Sequence, residues 1–187
     1  MLQHTLRQSS SVWPVFSRHY ANKVIFTAQA LVKGARADGQ ITSDDGNLKL
    51  TLGLPKGMGG PGKHTNPEQL FAAGYAACFS GAVGVAAQNS KAKVKSTTIN
   101  SKVSLVIDDA TKKMNVAVVF DIQVEGVDKK TAEQVVKDAH QICPYSNATR
   151  GNIDFKYNIV WSQEQTYNLL DIAPTGLVTF NVTSDKN

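Results

Sequence analysis

The chain has 187 residues, of which 42% are hydrophobic and 7% aromatic, which is enough for one good core and little for a second. Its formal charge is +5, yet lysine and arginine are scattered and no dense basic tract alternates with aromatic residues. We therefore expect a single globular domain without a nucleic-acid-binding surface.

The N-terminal segment has the composition of a mitochondrial transit peptide. Residues 1–37 contain no Asp or Glu, and the first 20 of them carry Arg7, Arg18 and four serines among apolar residues. The segment "RHYAN" also resembles a matrix-protease site, which predicts cleavage between Tyr20 and Ala21. The alternative is a tail whose bias in composition is accidental.

Two strands are predicted before the first helix. Residues 24–32, "VIFTAQALV", are rich in β-branched and aromatic side chains, and the stretch "LKLTLGL" from Leu48 alternates with period two. We interpret the segment between them, residues 33–47, as a turn-rich return that joins the two strands.

A long apolar helix is predicted to start at Pro67. Asn66 is a favoured N-cap, proline is favoured at the first helical position, and Glu68 supplies an early acid. Residues 70–87 carry no formal charge over 18 positions, which is the lower limit of a membrane span. Because seven alanines and three glycines make this run only weakly hydrophobic, we predict a core helix and no membrane span.

The second half of the chain predicts a hairpin, a helix and a strand. The runs "TTINSKVSLVI" and "MNVAVVFDIQV" are joined by "DDATKK", which is typical of a β-hairpin. Asp128 then caps a helix that places these residues on one face: Ala132, Val135, Val136, Ala139 and Cys143. With the strand "IDFKYNIVW", the order predicts an α+β domain over 21–161, in which curved antiparallel sheet wraps a central helix. Residues 162–187 lie beyond this pattern, and their "GLVTFNV" is suited to an added strand.

Two other kinds of site are disfavoured by the residues themselves. The piece "GMGGPGKH" has the skeleton of a phosphate-binding P-loop, but His64 replaces the Ser or Thr that holds magnesium and Pro61 removes a backbone N–H donor. Four metal ligands would have to come from separate elements, as His140, Cys143, Cys78 and His64, and no C-x-x-C pair occurs. We therefore expect neither a bound nucleotide nor a metal.

The two cysteines lie 65 residues apart, each on or next to a predicted core-facing helix. They are either inert core thiols or a dithiol that cycles between redox states. Only a thiolate attacks, and apolar burial raises the pKa of a thiol, so a reactive Cys78 requires a nearby cation or helix N-terminus. Cys78 lies eleven residues after Pro67, too far along the helix for its N-terminus to help. The residues alone leave both interpretations open.

Two motifs resemble a known family. Residues 65–79, "TNPEQLFAAGYAACF", and residues 140–155, "HQICPYSNATRGNIDF", closely resemble the two cysteine motifs of the organic hydroperoxide resistance (Ohr) proteins in the Ohr/OsmC family. The similarity extends upstream through "GARADGQITSDDGNLKLTL" and covers residues 23–160. This resemblance implies an OsmC-like fold, with antiparallel sheets around a long central helix, and an intertwined homodimer whose two sites are made from both chains.

The resemblance also implies a role for four residues. Cys78 matches the peroxidatic cysteine, which becomes a sulfenic acid, and Cys143 matches the resolving cysteine, which condenses with it to a disulfide. Arg36 in "GARADG" matches the arginine that stabilises the thiolate and polarises the peroxide. Glu68 matches the carboxylate that holds this arginine in a bidentate ion pair. No cofactor and no metal are implied.

Two features depart from the family pattern. The chain has Gly34-Ala35 where the family often has two glycines before the arginine, which is expected to stiffen a loop that moves on oxidation. The segment 162–187 has no counterpart in the bacterial pattern, so its role is open. Neither departure removes a reacting group.

The function expected from the resemblance is a thiol peroxidase for organic, fatty-acid-type hydroperoxides, and the composition of the N-terminal segment predicts that it works in the mitochondrial matrix. Its reductant is expected to be dihydrolipoamide or the lipoyl group of lipoylated proteins rather than thioredoxin. One alternative is a broader OsmC-like peroxidase that also uses hydrogen peroxide. The other is a non-catalytic lipid-binding domain in which the cysteines only pack.

Overall fold

A computed structural model describes residues 23–161 of the chain. The expected transit peptide, residues 1–20, and the C-terminal segment, residues 162–187, lie outside this range, so both stay predictions. The described elements, in chain order, are β1 (Ala30–Lys33), β2 (Gln40–Ser43), β3 (Lys49–Thr51), a short 3-10 helix (Lys56–Met58), α1 (Pro67–Ser90), β4 (Ser96–Ile107), β5 (Met114–Glu125), α2 (Lys129–Ile142), α3 (Pro144–Thr149) and β6 (Asp154–Ile159).

The strands form two sheets of three strands each, in the orders β1-β2-β3 and β4-β5-β6. β1, β2 and β3 pair antiparallel, as do β4 and β5 over their full length. β6 pairs parallel to β5, because the chain crosses back through α2 and α3 before it re-enters the sheet. The predicted α+β class is confirmed, and this parallel pair is a feature that the strand patterns did not indicate.

The first sheet differs from its prediction. Of the expected strand 24–32, only residues 30–32 belong to a strand, β1, which continues to Lys33. The segment interpreted as a turn-rich return contains β2, whose Ile41 and Thr42 are β-branched residues suited to a strand. The prediction of a plain return was therefore wrong: the segment folds back twice and forms the middle strand of the sheet.

Helix α1 begins and ends as its sequence predicts. Asn66 accepts a hydrogen bond from the backbone N–H of Gln69, while the Gln69 side chain accepts one from the backbone N–H of Asn66, so the end has a full capping box. Pro67 occupies the first turn, and the helix stops at Lys91, which has a left-handed backbone with φ 56°. The cap and proline together confirm the predicted start.

Within residues 23–161, α1 is the one helix long and apolar enough to cross a membrane by length and composition. One face of it is buried in the core of this chain, where the Tyr75 and Phe79 rings contact Phe120 of β5. α1 also packs against α2 and β4. This packing is that of a core helix between a sheet and a second helix.

Helix α2 closes the core from the other side. The Asp128 side chain accepts a hydrogen bond from the Thr131 N–H, as expected for its N-cap. All five residues predicted on its inner face are buried: Ala132, Val135, Val136, Ala139 and Cys143. The helical periodicity therefore placed the second cysteine correctly, in the core at the end of α2.

Candidate active site

The two cysteines meet where three helices come together. Cys78 lies in the middle of α1, and Cys143 is the single residue between the end of α2 and the start of α3. Their Sγ atoms are 3.4 Å apart, and both are free thiols. Cys143 is fully buried, whereas Cys78 is half-buried. The pair is therefore close enough to react after a small movement, with the more accessible sulfur on Cys78.

The protonation of Cys78 is set by groups around its sulfur. Burial raises the pKa of the Cys78 thiol most, and the neighbouring Cys143 raises it further. A hydrogen bond from the backbone N–H of Tyr145 acts the other way and lowers this pKa. No cation of residues 23–161 contributes to it. A reactive Cys78 requires a nearby cation, and residues 23–161 of one chain do not supply it.

Short helix α3 is held against both neighbouring helices. The Tyr75 hydroxyl, on α1, lies 3.1 Å from Ser146 Oγ and 3.2 Å from Thr149 Oγ1. The Arg150 guanidinium, just after α3, donates to the His140 carbonyl of α2 at 2.6 Å and to Asn147 Oδ1 at 2.9 Å. We call Tyr75, Cys78, His140 and residues 143–150 the cysteine region.

Arg36 and Glu68 form a second pair. Arg36 Nη2 contacts Glu68 Oε2 and lies 3.8 Å from Met58 Sδ. The pair has this one nitrogen–oxygen contact, where the resemblance implies two. The Glu68 side chain is 16% exposed and that of Arg36 is 36% exposed. We call Arg36, Met58 and Glu68 the arginine region.

The structure brings the four predicted residues together as two pairs and not as one cluster. Glu68 and Cys78 lie ten residues apart on the same helix, which corresponds to a rise of about 15 Å. Arg36 is bound to Glu68 at the start of α1, and it is not among the groups that shift the pKa of Cys78. A site that combines all four residues needs another geometric element.

His140 has a packing role that differs from the metal role weighed from sequence. Its ring stacks on Phe155, with centroids 4.9 Å apart and planes at 3°. Burial lowers the pKa of His140, and the positive charge of Arg150 lowers it further. Its Nδ1 atom is buried without a hydrogen-bond partner in the described part of the chain. Across residues 23–161, no group of three or more His, Cys, Asp or Glu side chains is arranged to hold a metal.

Sequence reasoning missed the polar residues that position α3. Tyr75 was part of a run interpreted only as apolar core, and Ser146 and Thr149 were part of a motif valued for its cysteine. A signal was present in the sequence: a tyrosine among small residues on a core helix needs a partner for its hydroxyl. Which residues supply that partner depends on the tertiary structure.

Comparison with known proteins gives consistent matches. Residues 60–158 match the family model described as OsmC-like protein. The organic hydroperoxide resistance protein OhrB of Bacillus subtilis is 42% identical over 135 residues, which cover 72% of this chain and 98% of that protein. The organic hydroperoxide resistance protein of Xanthomonas axonopodis pv. citri is 46% identical over 134 residues, which cover 71% of this chain and 92% of the relative.

Crystal structures match the fold as well. OhrB of Bacillus subtilis superimposes with a TM-score of 0.67 at 40% identity, covering 73% of this chain and 100% of that chain. A putative organic hydroperoxide resistance protein from Vibrio cholerae, with captopril bound in one of its active sites, has a TM-score of 0.69 at 37% identity. That match covers 76% of this chain and 96% of the other. The fold implied by the sequence motifs is thereby confirmed.

Proposed function

The chain belongs to the OsmC-like family, and from this we propose that it is a thiol-dependent peroxidase that reduces organic hydroperoxides to alcohols. One observation carries the proposal: the Sγ atoms of Cys78 and Cys143 lie 3.4 Å apart as free thiols, with the more accessible one on Cys78. The relatives named organic hydroperoxide resistance proteins support a role in peroxide detoxification.

The proposed reaction has two steps at the cysteines. The Cys78 thiolate attacks one peroxide oxygen, the O–O bond breaks, and the alkoxide leaves as an alcohol after it takes up a proton. Cys78 is then a sulfenic acid. The Cys143 sulfur attacks the Cys78 sulfur, water leaves, and a disulfide forms. A dithiol returns both cysteines to thiols and takes the disulfide state itself.

We propose that the site is completed by a second copy of the chain. Five apolar side chains near the start of the described residues are 57% to 91% exposed: Val24, Ile25, Phe26, Leu31 and Val32. Such an exposed apolar stretch is unusual for a monomer and suits an interface. The rise of about 15 Å between Glu68 and Cys78 is also explained if the partner subunit's Arg36 reaches this chain's Cys78.

Mixed dimers test the shared site. A Cys78→Ser chain, which is inactive alone, and an Arg36→Ala chain, which is expected to be roughly a hundredfold slower alone, are co-expressed with different tags. Random pairing makes half of the dimers mixed, each with one complete site, so about a quarter of the wild-type activity is expected. The control pair, Cys78→Ser with Cys143→Ser, regains nothing, because both cysteines of a site come from one chain. Equal failure of both pairs would contradict the shared site.

Fatty-acid-type hydroperoxides and lipoyl dithiols are the proposed substrates. Cys143 lies in a buried apolar cluster, and Cys78 packs at its edge. A substrate or reductant that approaches these sulfur atoms therefore meets apolar side chains. A dihydrolipoyl arm carries both thiols on a short carbon chain and resolves its own mixed disulfide by intramolecular attack.

A coupled assay distinguishes the alternatives. Dihydrolipoamide with its dehydrogenase is expected to sustain turnover far better than thioredoxin with its reductase, and cumene or fatty-acid hydroperoxide to exceed hydrogen peroxide in kcat/KM. A preference for hydrogen peroxide would favour the broader OsmC-like peroxidase. No peroxide-dependent loss of thiols would favour a lipid-binding domain.

We also propose that the protein works in the mitochondrial matrix. The support is the absence of acids from residues 1–37 together with Arg7, Arg18 and four serines in the first 20 residues. Fusion of residues 1–25 to a fluorescent reporter is expected to direct it to mitochondria. A purely cytosolic signal would overturn this proposal and leave the chemistry of the site untouched.

A further inference from the structure

A buried hydroxyl links the two segments that carry the cysteines. Tyr75 is fully buried, and its ring is surrounded by the rings of Phe71, Phe120, Tyr145 and Phe155 at centroid distances of 4.9 to 5.9 Å. These contacts fix the ring, so the direction of its hydroxyl is fixed as well. Its partners are not on α1: they are Ser146 Oγ at 3.1 Å and Thr149 Oγ1 at 3.2 Å, both on α3.

The Tyr75 hydroxyl connects the segment around Cys78 with the segment around Cys143. Tyr75 lies three residues before Cys78 on α1, nearly one helical turn. Ser146 lies three residues after Cys143, at the first turn of α3, and is fully buried. One hydroxyl therefore connects the helix of the attacking sulfur to the helix that starts at the resolving sulfur.

Thr149, one of the two partners of the Tyr75 hydroxyl, also holds the backbone of Tyr145. Thr149 Oγ1 donates its proton to the Tyr145 carbonyl at 2.8 Å. The residue whose backbone N–H lowers the pKa of Cys78 is therefore held by a partner of Tyr75. A buried hydroxyl that loses its partner carries a desolvation cost, which makes this arrangement sensitive to the loss of one member. Tyr75, Ser146, Thr149 and the start of α3 thus form one connected unit.

We propose that Tyr75 is a positioning residue for the second chemical step, the attack of Cys143 on the Cys78 sulfenic acid. It acts through α3, whose hydrogen bonds keep the Cys143 sulfur within reach of Cys78. This inference rests on the proposed peroxidase function and adds a residue to it that touches neither peroxide nor reductant.

Disulfide formation competes with a second reaction of the Cys78 sulfenic acid, and the product of that reaction can be measured. The Cys78 sulfenic acid either is attacked by the Cys143 sulfur, which releases water and forms the disulfide, or its own sulfur attacks an oxygen of a second hydroperoxide. The second route breaks another O–O bond, releases another alcohol and leaves Cys78 as a sulfinic acid. If α3 is loosened, the intramolecular route slows and over-oxidation takes a larger share at the same hydroperoxide concentration.

The test uses Tyr75→Phe, which removes the hydroxyl and keeps the ring. Reduced full-length protein is mixed with rising cumene hydroperoxide without a reductant, and mass spectrometry gives the fractions of disulfide and sulfinic acid. We expect the hydroperoxide concentration that over-oxidises half of Cys78 to fall roughly tenfold, the scale of one buried hydrogen bond. Tyr157→Phe is the matched control, because it removes a tyrosine hydroxyl that is part of a 37% exposed residue on β6.

A double variant separates positioning from general loss of stability. If the hydroxyl acts through Ser146, then Tyr75→Phe has a smaller effect in a Ser146→Ala background than in the wild-type chain. All variants are assayed well below their melting temperatures. The inference would be overturned if Tyr75→Phe leaves the half-oxidising hydroperoxide concentration unchanged, or if Tyr157→Phe shifts it equally. It would also be overturned if the fold-changes of Tyr75→Phe and Ser146→Ala simply multiply in the double variant.

The wild-type protein in the same experiment reports on the proposed function. If the wild-type chain forms the Cys78–Cys143 disulfide and Tyr75→Phe behaves in the same way, only the proposed role of Tyr75 is overturned. A wild-type chain that forms no such disulfide would overturn the proposed function and, with it, this inference.

Discussion

The cysteine region and the arginine region are held in place in opposite ways. In the first, Tyr75, Cys143 and Ser146 are fully buried, and hydrogen bonds tie α3 to α1 and α2. In the second, the Arg36 side chain is 36% exposed and depends on one ion-pair contact with Glu68. Such a partly exposed pair contributes at most about 1 kcal/mol. The contacts within one chain therefore fix the position of the two thiols, whereas the Arg36 guanidinium needs further contacts to be held as firmly.

The largest expected effect comes from breaking the arginine region. Arg36→Ala is expected to slow the reaction of Cys78 with cumene hydroperoxide roughly a hundredfold, the scale of removing one charge-stabilising donor from an active site. It should also raise the pKa of Cys78 in the assembled protein, because the thiolate loses its charge partner. Stopped-flow kinetics against pH measure both quantities.

Two further variants sharpen this result. Glu68→Ala should act in the same direction but less severely, because Arg36 stays in the chain and loses only its anchor. Arg36→Lys should restore part of the rate, since lysine keeps the charge and lacks the guanidinium fork. Wild-type kinetics in both alanine variants would exclude the arginine region from the reaction.

A medium effect is expected at the helix end that carries Glu68. Asn66→Ala removes the side chain that caps α1 and should lower the free energy of unfolding by about 1 kcal/mol. Gln88→Ala in the same helix, at an exposed position, should change it by less than about 0.5 kcal/mol. Urea titration measures both. If the two variants are equally stable, the cap does not fix this end of the arginine region.

The smallest expected effect is a pH dependence of stability in the cysteine region. Burial and Arg150 lower the pKa of His140 in the folded state, so below about pH 6.5 the unfolded chain binds the proton more readily than the folded one. Stability is therefore lost as the pH falls below that value. His140→Phe keeps a ring to stack on Phe155 and should reduce the loss of stability between pH 7.5 and 5.5. An identical pH profile would contradict this account.

The helices were predictable because their signals are local. The Asn66-Pro67 start of α1 and the apolar face of α2 are determined by neighbours within a few residues. Strand β2 was missed because a four-residue strand in a turn-rich segment depends on partners on both sides. The parallel pairing of β6 likewise depends on the path of α2 and α3 across the sheet.

The site was predictable to a similar degree. The motifs identified Cys78, Cys143, Arg36 and Glu68, but the 3.4 Å contact of the thiols needs three helices in their final positions. The distance along α1 between Glu68, which holds the arginine, and Cys78 also follows from the sequence. Ten residues of predicted helix between Glu68 and Cys78 require a rise of about 15 Å, which separates Glu68 from the thiols along α1.

A thiol titration shows directly whether Cys78 and Cys143 act as one redox pair within a chain. Reduced protein is mixed with increasing amounts of cumene hydroperoxide, free thiols are counted, and the products are mapped by mass spectrometry. We expect both thiols to disappear at one equivalent of peroxide per chain, with an intramolecular Cys78–Cys143 disulfide as the product. Retention of the thiols, mainly intermolecular disulfides, or mainly Cys78 sulfinic acid at limiting peroxide would contradict this expectation.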